Sequence, residues 1–175
     1  MSARAEARKR FVEQVQNAID EAQAKVRGLF DDPSAKVEIV HTSVVPQIIA
    51  DWGSQAQLNW ALAQRKCSSN TRSCFIGIRS KNVVCILSLV RVSRAGELTT
   101  LLFLERDLDN RAIDGLGLVA IDVVLDALSV YFESEYIVIE KPLKPVVPYY
   151  EANGYTKARM LGRTVSTMTR PAKRQ

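Results

Sequence analysis

The sequence predicts an α/β (α+β) domain: a mixed central sheet flanked by helices, with one added helix at the N-terminus. Three observations carry that expectation. Apolar residues recur at three- and four-residue spacing near the start of the chain. Three β-rich runs follow one another between residues 73 and 105. A strand, a glycine-containing loop, a helix and a second strand come next, the βαβ order that sets two strands parallel.

The first helix is read from Phe11, Val15, Ala18, Ala22, Val26 and Leu29, which fall on one stripe. Gly28 and the run Asp31-Asp32-Pro33-Ser34 stop it. A long helix with one apolar stripe packs on the body of the protein or on a partner, so residues 11–29 are a candidate homodimer or protein-partner surface. "KVEIVHTS", between Pro33 and Pro46, is the first strand. Residues 46–66 read as one or two helices broken near Gly53. "SCFIGIRS" and "VVCILSLVRV" then form a hairpin about Lys81-Asn82, and "LTTLLFLE" is the third strand of the meander. Leu118, Ile121, Val124, Leu125 and Leu128 mark a helix from about Leu116 to Phe132. "YIVIE" is a short, wholly apolar strand of the kind buried in a sheet, parallel to "LLFLE". After a proline-punctuated segment ending at "YYEANGY", "RTVSTMTR" is the last strand. The expected divisions are an N-terminal helical extension (1–33), the sheet domain (34–170) and a basic tail (171–175).

At 175 residues the chain forms one domain that buries about 70% of its unfolded surface, with no need of disulfides or a metal. No apolar run approaches the roughly 20 residues of a membrane span. The start of the chain lacks the apolar segment of a secretory signal. Cys67, Cys74 and Cys85 are odd in number and lack C-x-x-C spacing, which points to free thiols in a reducing cytoplasm and away from a zinc site. The net charge of +5 is concentrated at the ends: residues 1–10 contribute +3 and residues 163–175 contribute +4, leaving the body slightly acidic. A basic face built into the fold is therefore not indicated, and the ends read as solvated tails.

Chemistry enters at the βαβ loop, "NRAIDGLG". Where a strand gives way to a helix, the first amide protons of the helix have no intrahelical partner, and the helix dipole adds partial positive charge. Such a terminus favours anions, and glycines let the backbone approach them closely. Gly115 and Gly117 fit that role.

The order of elements, together with "LLFLERDLDNRAIDGLGLVAIDVVL" and "VVPYYEANGYTKARM", resembles the GNAT superfamily of acetyl-CoA-dependent N-acyltransferases over roughly residues 37–170. Tyr149, Tyr150, Glu151, Gly154 and Tyr155 match in order the family's aromatic-Tyr-Glu-x-x-Gly-aromatic segment. The resemblance implies acetyl-CoA as co-substrate and a primary amine as acceptor, whether small molecule, protein or aminoacyl-tRNA. It sets Phe103, Leu104 and Glu105 along the pantetheine arm, and Arg111, Gly115, Leu116 and Gly117 around the pyrophosphate. It makes Tyr150 the general acid for the departing thiolate. The family's loop pattern expects Arg or Gln where Ala112 stands, with Arg111 one residue early, and Glu105–Asp114 has a net charge of −2.

An amine nucleophile must lose a proton, and Glu105, at the end of its strand, is the candidate base, with Glu140 at the end of the parallel strand as an alternative. His41, the only histidine, has no matched Cys or carboxylate spacing and reads as structural. Trp52 and Trp60 read as core anchors, although the resemblance sets their region along the acceptor pocket. Two functions from different classes follow. One is an N-acetyltransferase acting by direct attack; the other is a non-catalytic GNAT-like binding or regulatory module that engages a partner through its N-terminal helix.

Overall fold

The structure, a computed structural model, describes residues 2–53 and 56–174. Helix α1 spans Ala3–Phe30. It starts where the Ser2 hydroxyl accepts the Ala5 amide at 3.3 Å and ends at Asp31, whose left-handed φ of 47° closes the C-terminus. Strand β1 is Lys36–Val40, followed by two short helices, α2 (Val45–Asp51) and α3 (Trp60–Ser69). The meander comprises β2 (Ser73–Ser80), β3 (Val83–Val92) and β4 (Leu98–Arg106). Helix α4 (Gly117–Tyr131) leads to β5 (Tyr136–Glu140), helix α5 (Val147–Ala152) and the hairpin β6 (Thr156–Leu161) and β7 (Thr164–Pro171).

These strands form one sheet in the order β1-β2-β3-β4-β5-β7-β6. Among the described residues only β4 and β5 pair in parallel, as a βαβ connection requires. The β2–β3 turn falls at Lys81-Asn82, where φ values of 48° and 65° give both central residues the left-handed geometry of a tight hairpin. Alternation sorts the side chains. Cys74, Ile76 and Ile78 point to the face covered by α1 and α4, and Phe75 points to the face covered by α2 and α3.

The stripe on α1 packs within the chain, with only Leu29, at its end, left partly exposed. Phe11, Val15, Ala18, Ala22 and Val26 are buried in the larger core cluster, and Ile19 joins them. Arg8 donates to the carbonyls of Asn70 (2.9 Å) and Ser73 (2.6 Å) beyond the end of α3. Gln23 both accepts from the Val37 amide (2.9 Å) and donates to the Ala35 carbonyl (2.6 Å), covering the free edge of β1. The extension is thus part of the core, and its apolar stripe is not an open partner surface.

The basic C-terminal end is docked as well, where the sequence suggested a solvated tail. The Ala172 amide donates to the Glu135 carbonyl at 2.9 Å, and Lys173 Nζ reaches Asp126 at 2.7 Å. The acidic side chains of α4 supply the partners that composition could not reveal. Strand β6 is an addition to the elements expected from the sequence: all six of its residues are exposed on an outer edge, so no apolar alternation marks it.

Candidate active site

The sheet splits between its two parallel strands. Pairing of β4 with β5 runs from Leu98–Tyr136 to Leu101–Ile139 and stops there. Beyond that point β4 continues along β3 to Arg106, while β5 stays with β7. Two local features produce the split. In β4, Leu101 pairs with Val90 and Phe103 with Leu89, so Leu102 is an extra residue, a bulge that bends the strand. After β5, Lys141 adopts φ 48° and donates its amide to the Ser166 carbonyl at 2.8 Å, pulling the chain towards β7.

The gap is a cavity of about 350 Å³ with mainly apolar walls from Leu58, Leu62, Phe103, Leu118, Ile139 and Val146. Its functional groups are Lys66, Glu140, Lys141 and Tyr150. Lys66 Nζ stands 3.8 Å from Glu140 Oε2 and 5.8 Å from the centre of the Phe103 ring. Lys66 is a cleft residue that the sequence reading did not single out; one charge on a short helix has no local signature.

Leu118, near the start of α4, brings the glycine loop to this cavity. Gly115 has φ 75°, a conformation that favours glycine, and a Cβ there would meet nothing within 4 Å, so the loop surface is open. Leu116 precedes the helix without a side-chain cap, leaving the first-turn amides unclaimed by any side chain. The acidic character of the loop is partly neutralised. Asp114 Oδ1 lies 3.0 Å from Arg106, and its other oxygen lies 3.9 Å from Arg111. Arg111 extends into solvent with its side chain 87% exposed, whereas Arg106 runs beneath the loop against Gly117.

Glu105 is engaged by three donors. Its Oε1 accepts the Gln57 amide at 2.6 Å, and Oε2 accepts the Leu58 amide at 3.2 Å and the Trp60 indole N–H at 2.8 Å. The carboxylate fastens the start of α3 to β4 and is not on the cavity wall, whereas Glu140 is. Trp60 is buried with Phe75 and Phe103 at ring distances of 6.2 and 6.0 Å, and Trp52 donates to the Val84 carbonyl at 2.8 Å. Both tryptophans are core anchors. His41 caps a short turn by accepting the Ser43 amide and lies away from the cleft.

Tyr150 projects from α5 to the cavity, and the residue is 2% exposed. Burial pushes its phenol up, and the nearby Asp122 and Tyr149 push in the same direction, so the hydroxyl keeps its proton at neutral pH. The neighbouring tyrosines point elsewhere: Tyr155 donates to Asp122 Oδ1 at 2.9 Å and Tyr149 to Asp122 Oδ2 at 3.3 Å.

The arrangement of helices and strands around this split sheet is similar overall to that of solved acetyltransferases. The chain superimposes on the ribosomal-protein-S18-alanine N-acetyltransferase from Escherichia coli with a TM-score of 0.60 and 14% identity, covering 79% of this chain and 94% of that one. This is the GNAT fold. An acetyltransferase from Thermus thermophilus gives a TM-score of 0.58 at 13% identity, covering 78% and 96% of the two chains. A PaiA N-acetyltransferase from Thermoplasma acidophilum, solved with coenzyme A, gives 0.52 at 10% identity, covering 79% and 99%. No family model matches the sequence, and neither does any curated protein. Within the GNAT fold, α1 is the added element and, β6 apart, the remaining helices and strands follow the order expected from the sequence.

Proposed function

We propose that the protein is an N-acetyltransferase that moves an acetyl group from acetyl-CoA to a primary amine. The observation that carries this reading is the split after Leu101 and Ile139, which opens an apolar slot ending at an uncapped, glycine-led helix terminus. The slot suits a pantetheine arm lying along Phe103 and Leu104. The amides of Gly115 and Gly117 suit a pyrophosphate, whereas that of Leu116 already donates to the Ile113 carbonyl at 3.0 Å; Arg106 and Arg111 supply positive charge beside them. At the split, Tyr150 and Glu140 provide the two proton-transfer groups. The amine nitrogen attacks the thioester carbonyl, a C–N bond forms, and the C–S bond breaks. Glu140, directly or through a water, takes the proton the amine loses, and Tyr150 gives its proton to the leaving thiolate. Glu105 supports the site by holding α3 against β4.

Two of the similar structures are named for acceptors as different as a ribosomal-protein alanine and spermidine. For this chain the acceptor class is a primary amine, and the free thiols accord with a cytoplasmic setting. Titration calorimetry with acetyl-CoA tests the reading first, followed by thiol release over a panel of amines, peptides and aminoacyl-tRNA. Saturable binding and amine-dependent thiol release are expected. No binding at millimolar acetyl-CoA would overturn it in favour of a non-catalytic GNAT-fold binding module. That second reading is favoured by the outward position of Arg111 and the presence of Asp114 in the loop.

A further inference from the structure

Tyr150 is held between two other tyrosines. Its ring meets Tyr149 edge-on at 5.7 Å and Tyr155 edge-on at 5.2 Å. Neither neighbour is free to turn, because each places its hydroxyl on a different oxygen of the same carboxylate, Asp122. Asp122 stands on α4, next to Ile121, which is fully buried in the core. From β7, Arg170 approaches Asp122 at 3.8 Å, bonds Asp126 at 2.6 Å, and lies 4.9 Å over the Tyr155 ring. Three elements, α4, α5 and β7, therefore converge on one carboxylate behind the candidate acid.

We propose that Asp122 is a positioning residue for Tyr150: by anchoring the Tyr149 and Tyr155 hydroxyls on its two oxygens, it fixes the rings that hold Tyr150 at the cleft. Edge-to-face pairs prefer a defined geometry, and a ring restrained on both sides keeps its hydroxyl on one line of approach. The charge of Asp122 has a second effect. A phenolate forming at Tyr150 would face a carboxylate in a poorly solvated region, so Asp122 reinforces burial in keeping the proton on the acid. The other ionisable groups around Tyr150 are Tyr149, Tyr155 and the cleft residues Lys66, Glu140 and Lys141. Those around Asp122 are the two tyrosines, Arg170 and Asp126, with Lys173 bonded to Asp126 beyond.

The catalytic consequence rests on the acyltransferase reading; the positioning does not. The test replaces the five tyrosines with 3-fluorotyrosine, whose phenol ionises at lower pH, and follows each ring by fluorine NMR after assignment by single Phe substitutions. In Asp122→Asn the Tyr150 resonance should move and titrate about one pH unit lower, a tenfold easier ionisation. In the Tyr149→Phe/Tyr155→Phe double variant, which keeps the charge, the same resonance should move and broaden. A Tyr150 resonance unmoved in either folded variant overturns the proposal, and if one variant does not fold, the other decides. Failure of the acyltransferase reading has a different signature: both variants give the expected resonance changes, yet the wild type neither binds acetyl-CoA nor releases thiol. If the enzyme is active, Asp122→Asn should lower kcat at least tenfold and leave acetyl-CoA affinity unchanged.

Discussion

The indole nitrogen of Trp60 donates to Glu105 Oε2 at 2.8 Å, joining the first residue of α3 to the end of β4. With two backbone amides on the same carboxylate, Glu105 orders the chain entering α3 alongside the Asn59 cap, whose side-chain oxygen accepts the Leu62 amide at 3.0 Å. Glu105→Gln turns one acceptor oxygen into a donor amide facing those N–H groups. It should destabilise the fold by about 1–3 kcal/mol and alter tryptophan fluorescence. Denaturant titration of the two proteins measures this, and equal midpoints would return Glu105 to the candidate bases.

Tyr150→Phe removes a hydroxyl and leaves the aromatic stack. Acetyl-CoA affinity should be unchanged, while kcat for amine-dependent thiol release falls roughly 100-fold, the usual scale of a single proton-transfer group. Calorimetry and single-turnover kinetics separate the two quantities. Undiminished turnover would take Tyr150 out of the mechanism.

Asp114 is half exposed and shared between Arg106 and Arg111, so its replacement by Asn should cost little stability. The substitution removes a negative charge from the loop and frees Arg106 for an anion. Acetyl-CoA should bind about threefold to tenfold more tightly at low salt, and the gain should shrink at high ionic strength. Affinity that is unchanged or weaker would argue against the pyrophosphate lying at this loop.

The fold was legible where one physical signal dominated. The α1 stripe, the Lys81-Asn82 turn and the βαβ order each specify a local conformation, and all three appear in the structure. Strand β6 gave no such signal because an exposed edge strand buries neither face. The site was legible in part. Gly115 and Tyr150 sit in recognisable local patterns, but the bulge at Leu102, the Lys66–Glu140 pair and the Glu105 clamp arise from residues distant in sequence. A carboxylate at a strand end looks alike whether it faces a cleft or three N–H donors, so sequence alone could not separate Glu105 from Glu140.

Val15 and Ile19 on α1 are completely buried against the sheet and α4. Ile19→Ala should therefore cost about 2–5 kcal/mol of folding free energy. An effect seen only in solution mass, with stability intact, would instead mean that the stripe serves an intermolecular contact.

Stability should decline at alkaline pH earlier than tyrosine ionisation alone requires. Burial pushes the Cys74 thiol up to about 12 and the Cys85 thiol up to about 11, from an ordinary value of 9.0. Below that ordinary value, both thiols are protonated in the folded and unfolded chains, and their contribution to stability is fully present. Between pH 9 and 11 the unfolded chain releases both protons while the native state holds them. The unfolded state then binds fewer protons, so stability falls as pH rises. Each thiol contributes up to about 1.4 kcal/mol per pH unit in that window, and the raised phenols of Tyr150 and Tyr155 add to the slope above pH 10. Guanidinium unfolding at half-unit intervals from pH 8 to 10.5 gives the slope directly. The Cys74→Ala/Cys85→Ala variant is less stable at every pH through lost packing, yet its stability should fall less steeply above pH 9. Parallel curves for the two proteins would mean that both thiols ionise in the native state as readily as in the unfolded chain.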